Sequence, residues 1–347
     1  MNAGQSGFYR VNYEIDNWNK LIHQLNNGYQ ALTAADRAGL LDDAFNLARG
    51  DMLSDDVALR LTPYLKGERE YVPWMSALNN MAYFATQFST YDSVTGSTQY
   101  YSTYKKYILY LLHDIANELG WEEAEDDPHL KRYLRATVLH LATEYEDALP
   151  VNIQPSHTSK ALELFDAWLD RGISVTPNLR NIVYSIGSRQ GILKRLLRYS
   201  LDESKFRSQD SVAVIDSIAH NPEGRLIAWK FVRDNYDELF KKYGKGSFDF
   251  SRLIKANTAH FNTEEKKKEV SDFFASKDQG SGELAVRQSL ESITANIKWV
   301  KDHASQVNAW FEKFLEDNEN KDNNIRRSHV QDFHATYYDE MDKYGRP

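Results

Sequence analysis

Apolar residues recur every three or four positions through most of this chain, a spacing that predicts amphipathic α-helices. The clearest run lies between Thr33 and Gly50, and its apolar face consists of Ala38, Leu41, Phe45 and Ala48. Thr33 with Asp36 resembles a helix-capping box, and Gly50 is a typical helix stop. The pattern therefore predicts a helix between Thr33 and Gly50.

Further helical runs follow, separated by short polar joints. They cover residues 54–65, 73–88, 100–119, 130–145, 156–169, 179–188, 225–243, 263–274 and 282–315. Pro63 is predicted to end or kink the second helix, and Pro73 to open the third. The polar segment 89–98 is predicted to be a loop.

About a dozen helices with short connections predict an all-α fold. Each run has an apolar face, and the runs vary in length. This favours a HEAT/armadillo-like superhelical array of helix pairs, in which each repeat buries its face on its neighbours. A compact helical bundle is the alternative.

The two ends of the chain differ from its helical middle. Residues 9–13 alternate aromatic or apolar with polar side chains and predict one orphan β-strand. Such a strand has no sheet to join, which indicates a chain cut inside a larger protein. The polar end has little to bury and is predicted to be disordered. The expected division is therefore 1–13 as a remnant strand, 14–315 as a helical domain and 316–347 as a tail.

Composition and charge limit the kinds of molecule that this chain is expected to bind. The chain has 347 residues and a net charge of −8, so it lacks the basic footprint that a nucleic-acid partner requires. No run of 18 apolar residues occurs, so no membrane segment is predicted. Cysteine and N-glycosylation acceptors are absent, which excludes disulfides and fits a soluble intracellular chain.

Ordered blocks along the chain carry a family resemblance. The first two are Gly7-Phe8-Tyr9-Arg10-Val11-Asn12-Tyr13 and Ala35-Asp36-Arg37-Ala38-Gly39-Leu40-Leu41-Asp42-Asp43-Ala44-Phe45. Later blocks reach about Leu315 and include Tyr71-x-Pro73-Trp74, Pro177-Asn178-Leu179-Arg180-x-x-Val183-Tyr184 and Asn296-Ile297-x-Trp299-Val300. Together they resemble the C-terminal helical domain of the gluzincin zinc aminopeptidases, of the aminopeptidase N and glutamyl aminopeptidase type.

The resemblance implies a non-catalytic domain that follows the last strand of a β-sandwich. The family's H-E-x-x-H zinc motif and G-x-M-E-N substrate loop lie upstream of the matched region, and neither occurs here. The parent reaction is the zinc-dependent release of N-terminal amino acids from peptides. In that setting the domain would cap the peptide cleft and help to form a homodimer, within a plasma-membrane or extracellular enzyme.

The resemblance is interrupted at one place. Between Tyr184 and Ile192 the family carries further helices, whereas here Gly187–Gly191 joins the flanking blocks directly. In a solenoid each repeat buries its face only on its neighbours. Removing helices from such an array forces two non-adjacent faces together or leaves apolar surface in water.

The sequence contains no recognisable catalytic or metal constellation. No two of the ten histidines lie four apart and none precedes a glutamate, so we predict no zinc site and no catalytic residue in this chain. Acidic clusters at 42–43 and 122–127 are interpreted as structural. Adjacent helical positions point apart, and negative charge is favoured before a helix N-terminus.

Arg252 and His260 are the best site candidates. If the resemblance holds, both lie near the concave face that meets the substrate's C-terminal part. An arginine can bind a peptide carboxylate through two parallel hydrogen bonds. The alternative is a surface arginine and a histidine at a helix end.

Two other functions stay open at the level of the sequence. A standalone α-solenoid could act as a protein-interaction module, because such folds offer extended concave surfaces. A truncated product without function is the other, indicated by the orphan strand and the missing helices.

Overall fold

The computed structural model describes residues 2, 4, 6–95, 99–149, 156–187, 193–202, 208–245 and 248–320. Its α-helices are α1 (Ile15–Gly28), α2 (Ala34–Arg49), α3 (Asp55–Arg60), α4 (Tyr71–Thr95), α5 (Gln99–Leu119), α6 (His129–Tyr145), α7 (His157–Arg171), α8 (Arg180–Gly187), α9 (Leu193–Ser200), α10 (Ser208–His220), α11 (Arg225–Asp234), α12 (Tyr236–Tyr243), α13 (Phe248–Thr258), α14 (Glu264–Ala275), α15 (Glu283–Trp299) and α16 (305–320). The all-α prediction is confirmed.

The segment before α1 is held by α2 instead of by a sheet. Residues 10–14 have no regular secondary structure, and the described ranges contain no β-strand, so the orphan strand predicted over 9–13 does not occur. The backbone N–H of Val11 donates to Asp43 Oδ2 at 3.0 Å. A strand needs a paired neighbour for its backbone groups, and here a carboxylate of α2 supplies an acceptor instead.

The two N-terminal helices show where local sequence signals are sufficient to predict a helix and where they are not. In α2 the hydroxyl of Thr33 accepts the N–H of Asp36 at 3.2 Å, and Gly50 caps the end, as predicted. The apolar pattern does not predict α1, which fully buries Trp18 and Leu25. Its several asparagines are weak helix formers, so packing decides its formation.

The largest difference concerns the loop predicted over 89–98. Helix α4 continues through residue 95, and residues 96–98 lie outside the described ranges. Ser89 and Thr90 are buried, and their hydroxyls accept hydrogen bonds from Arg225. These polar side chains face another part of the protein instead of water, so tertiary contacts override the local signal.

Two runs that the sequence predicts as single helices are interrupted. Asn235 separates α11 from α12, and a π-helical turn, Val300–Ala304, lies between α15 and α16. Helix α16 extends to residue 320, past the predicted domain end at 315. The remainder of the predicted tail, 321–347, lies outside the described ranges.

Helix contacts follow chain order. Helix α2 packs on α4, α4 on α6 and α6 on α8, while α5 contacts α4 and α6, and α7 contacts α6 and α8. In the second half α13 packs against α10 and α15, with α11 and α14 beside them. Paired neighbours are what a helix-pair array requires, and the superhelical form of that array stays a prediction.

Two main apolar cores organise the molecule. The first is built from α1 to α6, and the second from α9 to α15 around Trp229 and Phe250. The C-terminal Trp299 and Phe311 belong to the first core, where the Phe311 ring centroid lies 4.9 Å from that of Tyr107. The last helices therefore pack back against the N-terminal half.

Candidate functional site

The structure joins Arg252 and His260 into one polar cluster through two residues of α10. Arg252 Nε donates to Asp216 Oδ2 at 2.6 Å. His220 Nδ1 lies 2.8 Å from the backbone carbonyl oxygen of Asp216, and the His220 and His260 rings meet edge to face with centroids 5.1 Å apart. We call these four residues the α10–α13 cluster.

Helix geometry explains how the cluster assembles. Asp216 and His220 are four residues apart and share one face of α10. Helix α10 packs on α13 through fully buried apolar residues, among them Ile215 and Leu253. This contact sets Asp216 opposite Arg252 at the edge of the second core.

Neighbouring carboxylates contact only part of the Arg252 side chain. Its side chain is 51% exposed, and its Nη1 lies 3.8 Å from Asp249 Oδ1. Asp216 is buried, and burial raises the pKa of its carboxyl group, although the hydrogen bond from Arg252 opposes this shift. Part of the Arg252 guanidinium therefore faces water and is accessible to an anionic ligand.

His260 is held as a neutral ring. Burial, together with the nearby charges of Arg225 and His220, lowers its pKa to about 4. Asn296 Nδ2 donates to the carbonyl oxygens of Ala259 and Phe261 at 2.9 and 3.1 Å, which fixes the backbone on both sides of the ring. At neutral pH this residue offers a hydrogen bond but no positive charge.

A buried cation links the cluster to the first half of the chain. Arg225 is 3% exposed, and its Nη1 donates to Thr90 Oγ1 at 2.6 Å and to Ser89 Oγ at 3.1 Å. Its Nη2 donates to the carbonyl oxygen of His220 at 3.3 Å. Burial lowers the pKa of Arg225 to about 10. The guanidinium thus connects the end of α10 with α4.

The acidic clusters seen in the sequence take part in structural contacts. Asp42 pairs with Arg10. Lys131 and Arg135 each lie 2.7 Å from an oxygen of Asp127, and their hydrogen bonds hold the pKa of Asp127 well below its usual value. Asp127 thereby fixes the start of α6.

The donor set does not fit a zinc ion. A structural or catalytic zinc needs at least three protein ligands around one point. Within the described ranges no three histidine, aspartate or glutamate side chains converge in that way.

In the part of the chain that the structure describes, no helix combines the length and the apolar character needed to cross a bilayer.

Sequence reasoning missed Asp216, His220 and Arg225. The i, i+4 spacing of the first two at the end of a helix was a usable signal, because such residues share a face. Nothing local marks Arg225 as buried, since arginine is mostly exposed and the hydroxyls that bind it lie about 135 residues away.

Comparison with known proteins identifies relatives along most of the chain. The sequence profile of the ERAP1-like C-terminal domain matches residues 1–192 and 188–295. Aminopeptidase Ey of Gallus gallus is 34% identical, covering 90% of this chain and 35% of the relative. Human glutamyl aminopeptidase is 30% identical, over 91% of this chain and 35% of its own length. Human aminopeptidase N is 32% identical, over 90% of this chain and 35% of its own length.

The comparisons also bear on the interruption near Gly187–Gly191. This chain spans 35% of the length of these curated relatives. The alignment with aminopeptidase Ey has 351 positions, and it includes 90% of the 347 residues of this chain, or about 312. About 39 positions of the alignment therefore have no residue in this chain. The two profile matches meet at residues 188–192, which agrees with the interruption inferred from the sequence.

Proposed function

This chain belongs to the ERAP1-like C-terminal domain family, and we propose that it is the non-catalytic helical domain that caps the peptide cleft of a zinc-dependent aminopeptidase. The match over residues 1–295 carries the proposal. The parent reaction would release N-terminal amino acids from peptides, with zinc held by residues outside this chain. A homodimer through this domain is part of the same proposal.

The α10–α13 cluster supplies the proposed contact with substrate. Arg252 is half exposed, and Asp216 holds its Nε edge. The remaining nitrogens can donate to the C-terminal carboxylate of a peptide. His260 stays neutral and supports the position of His220. Asp216 and Asp249 lie close to Arg252 and reduce its net attraction for anions. The site would therefore favour a carboxylate that makes well-directed hydrogen bonds over an anion attracted by charge alone.

Reconstitution tests this proposal. The chain alone should release no p-nitroaniline from alanyl-p-nitroanilide. It should form a complex with the part of aminopeptidase Ey that it does not match, and the complex should cleave peptides. In the complex, Arg252→Ala should raise KM by about tenfold or more for peptides with a free C-terminal carboxylate, since a hydrogen bond to a charged group is worth about 1.5–3 kcal/mol. Peptides with a C-terminal amide should be unaffected.

The control is Arg287→Ala, which removes an exposed arginine from α15. Equal effects of the two variants would remove Arg252 from the proposal. Failure to bind the catalytic part would overturn the capping role. Chelator-sensitive release of p-nitroaniline by the chain alone would show that it is catalytic.

A further inference from the structure

Helix α7 exposes an unusual number of large apolar side chains. Leu162 is 40% exposed, Trp168 38%, Leu169 61% and Ile173, just beyond the helix, 51%. Single exposed apolar residues are ordinary on protein surfaces, but a contiguous group usually marks an interaction site. These four occur within twelve consecutive residues, and Trp168 lies on the side of the helix that carries the buried Ala161.

Two of these exposed residues form a stripe. At about 100° per residue, Leu162 and Leu169 lie on one face of the helix, and the half-buried Phe165, which also packs against the small core of α6 and α8, lies at its edge. Ala167, which α7 buries, lies about 140° from Leu162 around the helix. Gly172 ends the helix at a φ of +66°, a conformation that glycine adopts without strain, and the stripe continues to Ile173 beyond it.

The place of α7 in the chain accounts for a stripe that no described helix covers. Its main contacts are with α6 and α8, and the chain then reaches the interruption at 188–192. The relatives carry about 39 aligned positions that this chain lacks. A helix pair missing from a stacked array leaves the face of its neighbour without a partner.

The charges beside the stripe indicate what would cover it. Glu163, Asp166 and Asp170 project from the same side of the helix, next to the apolar residues, and all are exposed. Lys160 pairs with Glu163, whereas no ion pair within the described ranges involves Asp166 or Asp170. A second copy of this chain would bring the same carboxylates into the contact, where like charges repel. A helix with flanking lysine or arginine would neutralise them.

We propose that this face of α7 binds a basic amphipathic helix of a partner protein. The partner's apolar residues at i, i+3 and i+7 would pack on Leu162, Phe165 and Leu169, as in other helix-in-groove complexes. Its basic flank would pair with Asp166 and Asp170. This inference does not depend on the proposed function.

The test uses the full chain and two labelled peptides, each about 18 residues or five helical turns long. One carries leucine at i, i+3, i+7 and i+11 with lysine flanks, and the other has glutamate in place of each lysine. Fluorescence anisotropy at physiological salt should show micromolar binding of the lysine peptide and at least about tenfold weaker binding of the glutamate peptide.

Variants locate the site. Leu169→Lys should weaken binding of the lysine peptide at least about tenfold, a loss of about 1.4 kcal/mol in binding free energy. Leu284→Lys, at a residue that is 56% exposed on α15, should leave binding unchanged. Asp166→Lys with Asp170→Lys should reverse the preference between the two peptides. Unchanged far-UV circular dichroism would show that all these variants fold.

Three results would overturn the inference. Equal binding of both peptides would mean that charge does not select the partner. Equal effects of the Leu169 and Leu284 variants would place binding elsewhere. Sedimentation velocity showing a dimer that Leu169→Lys dissociates and Leu284→Lys does not would mean that a second copy covers the face.

Discussion

Replacing Thr90 with valine should destabilise the protein by about 1.5–3 kcal/mol, the value of a hydrogen bond to a charged group. Thr90 is fully buried, and its Oγ1 accepts a 2.6 Å hydrogen bond from Arg225 Nη1. Valine keeps the shape of threonine but removes the acceptor. Among the described residues, the guanidinium then keeps Ser89 and two backbone carbonyl oxygens as hydrogen-bond partners, and at 3% exposure its charge has little access to water.

Urea unfolding followed by far-UV circular dichroism measures the effect, as a lower midpoint at an unchanged m-value. The matched control is Thr294→Val on α15, where the hydroxyl donates to the carbonyl oxygen of Leu290 and the residue is exposed. That change should stay within about 0.5 kcal/mol, as is usual for surface substitutions.

A double-mutant cycle decides whether Arg225 is the cause. In an Arg225→Met background no buried cation needs an acceptor, so Thr90→Val should cost at least about 1 kcal/mol less than in the native background. If Thr90→Val costs the same in both backgrounds, or no more than Thr294→Val, the reasoning about the buried cation is wrong.

Two further outcomes follow from buried ionisable groups. Stability should rise with pH between about 4 and 6.5, by at most about 3 kcal/mol, because the lowered pKa of His260 makes the unfolded chain bind more protons in that window. In His260→Gln the urea midpoint should change less with pH across this range. A smaller dependence should remain from His157, because burial lowers its pKa too. An unchanged pH dependence would contradict the assignment to His260. Glu68→Ala should cost about 3–5 kcal/mol, because it leaves the buried Arg37 guanidinium without the carboxylate that binds its Nε and Nη2 at 2.6 and 2.9 Å. Asp234→Ala, which breaks an exposed pair, should cost under about 1 kcal/mol, and equal costs would refute the role of burial.

The candidate site was predictable in part. Arg252 and His260 came from a family resemblance, and the structure places both in one cluster. Asp216 and His220 had a local signal in their i, i+4 spacing. Arg225 had none, because its burial depends on hydroxyls of α4 that lie far away in the chain.

The amino-acid sequence by itself determined the helical class and the elements whose signals are local. Helix α2 is the clearest case, since its cap at Thr33 and its stop at Gly50 act within a few residues. The motif blocks also carry the family resemblance without reference to tertiary contacts. Both kinds of information are carried by neighbouring residues.

Only the tertiary structure decided which polar and apolar faces find a partner. Residues 89–95 have the composition of a loop, yet they are helical, and the hydroxyls of Ser89 and Thr90 are buried against Arg225 from the second half of the chain. The stripe of α7 has the periodicity of a buried face, yet Leu169 is 61% exposed because no described helix covers it. Periodicity shows that a face can be buried, whereas burial itself depends on residues that are distant in the chain or absent from it.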